Sequence, residues 1–256
     1  MEKSRSYEDV LSHFKPVSLD DIGSLRLMRR FDSKYLLPIQ HLSEFLSRLK
    51  ESYQVLEIKG KRSFIYDTTY FDSQNLKCYM DHQNRRKKRF KIREREYIIN
   101  GLRFLEVKMK NNKGITVKKR MLIESETSLF DEKKEFVKSL VNLDLSELNE
   151  TVSNSFHRIN LISFETKERI TIDYDLKYSY ENKNIFADYY AIIEVKREHE
   201  NRQTPVNAVL KTFRLQSRSF SKYCMSLALL KPGIKRNTFK PNILYLNRMR
   251  YDECTS

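Results

Sequence analysis

The segment from Lys87 to Tyr97 constrains the fold more than any other part of the chain. Its basic and apolar residues alternate with the two-residue period of a β-strand, in which successive side chains point to opposite faces. One face carries four cations: Arg89, Lys91, Arg93 and Arg95. The other carries Phe90, Ile92 and Ile98. The apolar face predicts packing against a core. Taken alone, the cationic face fits a phosphate-binding surface and an ordinary solvated or ion-paired edge equally well.

The two segments that follow repeat this pattern. Asn100-Gly101 is a strong hairpin signal, so 88–99 and 102–110 are predicted to pair. The return strand places three polar residues on one face: Glu106, Lys108 and Lys110. After a turn at Gly114, segment 115–123 does the same with Thr116, Lys118 and Arg120. The region 88–123 is therefore predicted to be a three-strand meander with a continuous cationic face.

The rest of the chain alternates between strand and helix patterns. Strands are predicted at 30–36, 63–71, 155–164, 169–173 and 189–196. Helices are predicted at 39–53, 74–82, 128–151 and 205–215, with a C-terminal helix from about Pro241. Two short signatures recur: Phe104–Lys108 resembles Ile192–Lys196, and Ser33-Lys34-Tyr35 matches Ser221-Lys222-Tyr223. Together they indicate two related halves of antiparallel strands.

A sheet with one packed face and one charged face can close on itself around the charges. We therefore predict an α+β fold: a closed antiparallel β-barrel with helices packed outside. Its bore would hold Lys34, Arg89, Lys91, Arg93, Arg95, Lys108, Lys118, Arg120, Arg158, Arg169, Lys196 and Lys222. The acids on the same faces are Asp32, Glu106, Asp173 and Glu194. Because the cations outnumber the acids about threefold, internal ion pairing cannot satisfy them all.

Charge and composition narrow the class of partner. Lys and Arg number 49 against 34 Asp and Glu, a net charge of +15, which favours nucleic acid, an anionic membrane surface or small polyphosphates. The longest apolar-rich run, Cys224–Leu230, is too short to span a bilayer. The three cysteines form neither a zinc spacing nor a disulfide framework, which favours a cytoplasmic location. The sequence has no glycine-rich phosphate loop.

An ordered set of short motifs resembles the VTC domain, the catalytic core of vacuolar transporter chaperone polyphosphate polymerases, within the CYTH or triphosphate tunnel metalloenzyme superfamily. The matching elements are Lys34-Tyr35, Tyr70–Ser73, Arg93-x-Arg95-x-Tyr97, Glu106-Val107-Lys108, Arg158, Arg169–Asp173, Glu194-Val195-Lys196 and Phe220–Tyr223. The superfamily's opening ExExK strand stands here as Arg30-x-Asp32-x-Lys34, with one acid lost and one shortened. The resemblance covers about residues 28–225 and implies a tunnel domain, which we place at 29–230. The helical patterns on either side predict an N-terminal helical extension over 1–28 and a C-terminal helical tail over 231–256.

The resemblance also implies an activity: extension of inorganic polyphosphate with ATP, assisted by manganese or magnesium. It implies a catalytic group of Arg93, Arg95, Lys108 and Lys222. It implies phosphate binding by Lys34, Arg93, Arg95, Lys108, Arg158, Lys196 and Lys222. The strand alternation adds Lys91, Arg120 and Arg169 to the predicted phosphate-binding residues. Glu194 would hold the metal; Asp173 is a weaker candidate, and Glu106 is expected to pair with Lys108. ATP and polyphosphate are the expected partners. A separate membrane partner, with the protein at its periphery, is compatible with the family, and no nucleic acid is expected.

Three other functions compete with polymerisation. Hydrolysis of triphosphate or short polyphosphate uses the same fold and differs in its product, orthophosphate. A non-catalytic polyphosphate or nucleotide sensor is compatible with the altered opening strand. A nucleic-acid binder would need a basic outer face with aromatic stacking platforms, whereas the cations here lie opposite the apolar faces in strand after strand.

Overall fold

The computed structural model describes residues 7–23, 31–124, 130–141, 143, 145–198 and 203–254 of the 256-residue chain. The strands within these ranges are β1 (Lys15–Val17), β2 (Phe31–Pro38), β3 (Gln54–Leu56), β4 (Ser63–Ser73), β5 (Arg89–Tyr97), β6 (Leu102–Lys110), β7 (Thr116–Ile123), β8 (Leu148–Ser163), β9 (Glu168–Tyr180), β10 (Lys183–Ala187) and β11 (Tyr190–Arg197). The helices are α1 (Glu8–Ser12), α2 (Leu19–Gly23), α3 (Leu42–Ser47), α4 (Lys77–Gln83), α5 (Phe130–Val141), α6 (Pro205–Thr212), α7 (Lys222–Leu230) and α8 (Lys240–Cys254). Single 3₁₀ turns occupy Ile39–His41, Leu145–Glu147 and Asn237–Phe239.

One sheet contains every strand. Its main path runs β2-β11-β9-β8-β4-β5-β6-β7, and each neighbouring pair on this path is antiparallel. Strand β10 adds to β9, and the parallel pair β1–β3 joins through β8. The architecture is therefore α+β with a predominantly antiparallel sheet, as predicted.

The predicted closure into a complete barrel is not confirmed. Among the described strands, β2 and β7 are the two ends of the hydrogen-bonded path and do not pair with each other. One reason is visible at β2: the segment before α7 lies along its free edge, where the Arg218 amide donates to the Lys34 carbonyl at 2.7 Å. The sheet is nevertheless curled, because side chains from β2 and from β5 to β7 line the same cavity.

The outer face of the sheet is covered by helices. Helices α1, α3 and α6 pack on β2, β8, β9 and β11 through a core that includes Leu11, Phe45, Ile172, Ile193 and Val206. Helix α5 covers β5 to β7, where Val137 joins Ile92, Leu105 and Val107. The helix is also tied to the sheet by an ion pair of 2.9 Å between Lys133 and Glu94. The apolar face of β5 is thus satisfied from outside, which leaves its cations facing inward.

Helix α7 lies inside the curl. Seven of its nine residues are buried, and Tyr223, Met225 and Leu227 belong to the same core cluster as Phe156 and Tyr190 on the strands. Ser221 caps the helix by accepting a hydrogen bond from the Cys224 amide at 3.4 Å. This fixes Lys222, the first residue of the helix, where apolar packing meets the charged part of the interior.

A β-bulge divides the interior into a charged part and an apolar part. The register of β8 with β9 shifts between Ser155 and His157, and Asp175 on β9 has a left-handed φ of 49°. An extra residue in one strand reverses which side chains face inward beyond it. Before the bulge, Asp173 therefore lines the cavity; after it, Leu176 and Tyr178 turn into the core around α7.

Several elements differ from the sequence-based expectations. The helix predicted over 128–151 is too long, because α5 ends at Val141 and β8 has already begun at Leu148. Strands β1, β3 and β10 were not predicted. Residues 1–6 and 24–30, which contain much of the predicted extension and Arg30 of the opening motif, lie outside the described residues. The division into extension, tunnel domain and tail stays a prediction. In the described part of the chain, no helix combines the length and apolar character needed to cross a membrane.

Candidate active site

A central cavity of about 250 Å³ lies inside the curled sheet. Its walls come from β2, β4 to β9, β11 and the start of α7. The cations that line it are Lys34, Lys91, Arg93, Arg95, Lys108, Lys118, Arg158, Lys196 and Lys222. Only two acids of the described residues, Asp173 and Glu194, line it with them. The structure thus brings together most of the residues singled out from the sequence.

Glu106 lies behind this wall and holds two of the cations. Its side chain is 1% exposed, and one oxygen accepts from Arg93 Nε and Nη2 at 2.8 and 2.6 Å. The other oxygen accepts from Lys118 Nζ at 2.7 Å. Burial opposes ionisation of Glu106, but the nearby guanidinium and ammonium groups outweigh it and lower the pKa to about 2. The expected Glu106–Lys108 pair is wrong, because both oxygens are already engaged across neighbouring strands.

Asp173 forms a second, similar cluster. Arg158 donates to its two oxygens through Nε at 2.5 Å and Nη2 at 2.7 Å, and Lys222 Nζ also contacts it. Burial disfavours the charged form, yet Arg158 and Lys222 hold the pKa of Asp173 well below its usual range. Burial lowers the pKa of Lys222, and the contact with Asp173 only partly offsets this. Asp173 therefore orients two cations and has little capacity left to bind a metal.

Glu194 is the most open carboxylate on the cavity wall. Its oxygens lie 3.4 Å from Lys34 Nζ and 3.2 Å from Lys196 Nζ, longer than the contacts of the other two acids. Burial opposes its charge, but Lys196 and Lys34 hold its pKa well below the usual range. No group of three or more His, Cys, Asp or Glu residues in the described part of the chain could enclose a metal ion. A hard cation would therefore fit here only if phosphate oxygens supplied the remaining ligands, a mode typical of magnesium.

Three of the lining cations have no carboxylate partner in the described residues. Arg95 is 6% exposed and makes one hydrogen bond, from Nε to Thr68 Oγ1 at 3.2 Å, so both terminal nitrogens remain available. Burial and the neighbouring Arg93 lower its pKa to about 10. For Lys91 and Lys108, burial and the nearby Lys34 lower each pKa to about 8. Removing charge from water without a partner is costly, so buried Arg95 and half-buried Lys91 and Lys108 are the strongest indication that this cavity can bind an anion.

Two aromatic rings that contact the cavity cations were not predicted from the sequence. Tyr66 and Phe156 stack with their ring centroids 5.6 Å apart. The guanidinium of Arg158 lies 5.0 Å from the Tyr66 centroid, and the ammonium of Lys222 lies 4.0 Å from the Phe156 centroid. Such contacts stabilise a desolvated cation without neutralising it. Nothing in the sequence indicated which cations these two rings would meet.

Two predicted phosphate-binding residues lie outside the lining of the central cavity. Arg120 is exposed and stacks on Phe104, with its guanidinium 4.6 Å from the ring centroid. Arg169 donates from Nη2 to the Ile22 carbonyl of α2 at 2.5 Å. Neither position supports a direct role at the reacting phosphates.

A wider vestibule of about 720 Å³ adjoins the central cavity. The two cavities share Lys34, Lys91 and Lys108 in their linings, so they adjoin at these three cations. The vestibule is lined by Asp32 from one edge strand and Thr116 from the other, which locates it at the open seam of the sheet. The cations Arg85, Arg89, Lys110 and Arg218 complete its basic lining.

The substitutions Arg93→Ala and Arg95→Ala are expected to change the free energy of unfolding by different amounts. Arg93→Ala leaves the buried Glu106 with Lys118 as its remaining ion-pair partner, and loss of a partner from a buried ion pair costs about 3 kcal/mol or more. The stabilisation from the depressed Glu106 pKa is present above pH 4.5 and is lost as pH falls towards 2. Urea unfolding at neutral pH therefore measures the full difference in unfolding free energy between Arg93→Ala and Arg95→Ala. Arg95→Ala is the control, since it leaves no carboxylate unpaired. Equal stability of the two variants would contradict the assigned pairing.

Comparison with known proteins agrees with this geometry. A family model described as the VTC domain matches residues 29–231. A structure from Bacillus halodurans, provisionally named an adenylate cyclase, superimposes with a TM-score of 0.51 at 15% identity, covering 75% of this chain and 94% of that chain. A Hippeastrum protein, provisionally named an adenylyl cyclase and described as having a dominant triphosphatase activity, gives a TM-score of 0.48 at 15% identity, covering 78% and 96%. No curated protein sequence matches significantly. At these identities the structural likeness shows the fold alone.

Proposed function

The chain belongs to the VTC domain family, and on that premise we propose that it is an ATP-dependent polyphosphate polymerase. ATP and a linear inorganic polyphosphate would be its substrates, and both would bind through their phosphates along the central cavity. The proposed products are ADP and a chain longer by one phosphoryl group.

The observation that supports this proposal most strongly is a set of three cavity cations without carboxylate partners in the described residues: Arg95, which is buried, and Lys91 and Lys108, which are half-buried. Arg95, Lys91 and Lys108 line one path from the central cavity to the vestibule. A polyanion entering this path would supply the missing charge at each position, and a guanidinium with two available nitrogens suits phosphate oxygens well. Lys91 and Lys108 are register partners on β5 and β6, and Arg95 lies farther along β5, so a chain of phosphates contacts all three better than a single small anion does.

The proposed reaction needs little from the protein beyond placement and charge. A terminal oxygen of the acceptor chain attacks the γ-phosphorus of ATP, the bond from that phosphorus to the bridging oxygen breaks, and ADP leaves with the bonding electrons. Phosphoryl transfer of this kind is catalysed mainly by positioning and electrostatic stabilisation, without a protein nucleophile. Arg95 and Lys108 are proposed to bind the transferring group, while Arg93 and Lys222 are held in place by Glu106 and Asp173.

A divalent cation, manganese or magnesium, fits this scheme through Glu194. The protein would contribute that one carboxylate, and substrate phosphates and water would supply the other oxygens. When bound, the ion would neutralise charge on the phosphates. The role of Lys34 and Lys196 would be to hold the Glu194 carboxylate in position on the wall.

Hydrolysis of triphosphate is the second candidate, and the vestibule favours it. A cavity of about 720 Å³ at the sheet seam gives water a route to the cations that it shares with the central cavity. If water rather than a phosphate chain occupies the acceptor position, the same machinery releases orthophosphate.

Product analysis tests the proposal. The purified protein is incubated with ATP and manganese, with and without a short polyphosphate primer, and the products are separated by gel electrophoresis. Polymerisation gives chains that lengthen with time, with ADP formed in proportion. Release of orthophosphate without longer chains would replace the polymerase proposal with the hydrolase.

Tripolyphosphate affinity is expected to fall as pH rises through about 8. Lys91 and Lys108 have pKa values near 8 in the empty cavity, and each loses its positive charge above that pH. The free energy of unfolding of the ligand-free protein changes in the opposite direction and rises as pH increases through about 8. The reason is that a charged lysine with a lowered pKa destabilises the folded state until it is deprotonated. Calorimetric titrations across this range measure the affinity. The double variant Lys91→Arg/Lys108→Arg should show a flatter profile, and a constant affinity in the parent protein would contradict the role given to the two lysines.

A further inference from the structure

Four consecutive exposed cations lie in the loop between α4 and β5. These residues, here named the collar, are Arg85, Arg86, Lys87 and Lys88. The sequence has no acidic residue between Asp81 and Glu94, and Asp81 is already paired with Lys77 at 2.9 Å. Glu94 is engaged on the outer face with Lys133. The collar is therefore a concentrated patch of positive charge.

The collar loop is held by specific contacts. The Arg86 amide donates to the Asp81 carbonyl at 2.9 Å, and the Arg89 guanidinium donates to the Arg86 carbonyl at 2.6 Å. From the other side, Thr238 Oγ1 donates to the Gln83 carbonyl at 2.7 Å. A loop fixed in this way presents its charges in a defined place beside the vestibule, which Thr238 also lines.

Arg85 adopts a backbone conformation that its side chain does not favour. Its φ is 56°, in the left-handed region where glycine is usual and other residues are strained. Strain of this kind is often found where the position of a side chain matters for function. The Arg85 side chain lines the vestibule, so the strained residue connects the collar to the cavity.

The collar continues a path of cations that begins inside the sheet. Arg95, Arg93, Lys91 and Arg89 alternate along β5 and span about 20 Å at the usual strand rise. Lys91 lines both cavities, and Arg89 and Arg85 line the vestibule. An anion of three phosphates bound at Arg95 occupies the inner part of this path, whereas a longer chain has further cations to follow outward.

We propose that the collar binds the part of a linear polyphosphate chain that emerges from the vestibule, so that the protein favours long chains over short ones. This inference rests on the proposed function, since it needs a phosphate chain in the central cavity. The ligand class is an extended, flexible polyanion with a charge on every repeating unit. Each exposed ion pair contributes little, but several acting together on one chain release counterions and discriminate by length.

The test compares long-chain polyphosphate with tripolyphosphate. The variant Arg86→Gln/Lys87→Gln/Lys88→Gln should lose about tenfold in affinity for the long chain at low ionic strength, with a shallower salt dependence. Its affinity for tripolyphosphate should stay within about twofold of the parent. The matched control Lys59→Gln/Lys61→Gln/Lys167→Gln removes the same charge from exposed positions at the opposite end of β4, and it should leave both affinities unchanged.

A second variant separates charge from loop structure. Arg85→Gly suits the left-handed backbone, so its melting temperature should equal or exceed that of the parent while its long-chain affinity falls. Equal losses for both ligands, a loss in the control variant or an unchanged long-chain affinity would each overturn the inference. An equal loss for a single-stranded oligonucleotide would identify a nucleic-acid surface instead. Failure of the parent protein to bind tripolyphosphate would refute the proposed function itself.

Discussion

Arg95→Ala is expected to reduce turnover by at least about 100-fold while the protein remains folded. Arg95 is the buried guanidinium whose two terminal nitrogens have no partner in the described residues, so it is best placed to bind charge that develops on the transferring phosphate. Removal of one preorganised donor of this kind typically costs about 3 kcal/mol or more in the transition state. The empty fold should lose no stability, because an unpaired buried cation is removed. Steady-state kinetics with ATP and manganese, together with a melting curve, measure both effects.

The matched control for Arg95→Ala is Arg103→Ala. Arg103 lies on the adjacent strand β6 but on the outer face, where it pairs with Glu94 at 3.2 Å. Both substitutions remove one arginine from the same part of the sheet, but from opposite faces. If the two variants lose activity equally, or if Arg95→Ala turns over at the parent rate, the inward face of β5 is not the active surface.

Glu194→Gln is expected to remove metal-dependent turnover while keeping phosphate binding. A carboxamide is a poor ligand for a hard cation, and loss of metal stabilisation worth several kcal/mol corresponds to at least about 100-fold in rate. Tripolyphosphate should bind as well as to the parent or more tightly, because Lys34 and Lys196 lose a competing negative charge. Manganese binding in the presence of tripolyphosphate, followed by electron paramagnetic resonance, gives a readout independent of turnover.

Glu94→Gln is the control for that experiment, since Glu94 lies on the outer face of β5 and pairs with Arg103 and Lys133. It should leave manganese dependence unchanged. Unchanged manganese dependence in Glu194→Gln would contradict the metal assignment. Glu106 and Asp173 would be poor substitutes, because each already holds two cations.

The alternation predicted the two faces correctly within β5, for a local reason, whereas Ile98, which was also assigned to the apolar face, follows the end of the strand and is exposed. Ile92 is fully buried under α5, and Arg93 and Arg95 line the central cavity. A strand side chain can only point up or down, so a strict period of two fixes the face once one residue is assigned. The same rule held for Lys108 on β6 and Lys196 on β11, which lie within regular stretches.

The partners of the charges could not be predicted, because they depend on register between strands. Glu106 on β6 pairs with Arg93 on β5 and with Lys118 on β7, and not with Lys108 two residues away on its own strand. The bulge at Asp175 reverses the faces of β9 and has no clear sequence signature. Closure of the sheet likewise depends on the segment beside β2, which a strand pattern does not reveal.

The most direct test of the central claim is whether a phosphate chain stabilises the protein through the cations that line the central cavity. At about 100 times its dissociation constant, tripolyphosphate should add roughly 2.7 kcal/mol, which corresponds to about 5 to 10 °C in melting temperature for a protein of this size. Orthophosphate and a short oligonucleotide at matched ionic strength should give much smaller shifts, and the tripolyphosphate shift should shrink in the double variant Arg95→Ala/Lys108→Ala. Equal shifts from all three ligands, unaffected by that variant, would show only a diffuse basic surface and would contradict a phosphate-binding cavity inside the sheet.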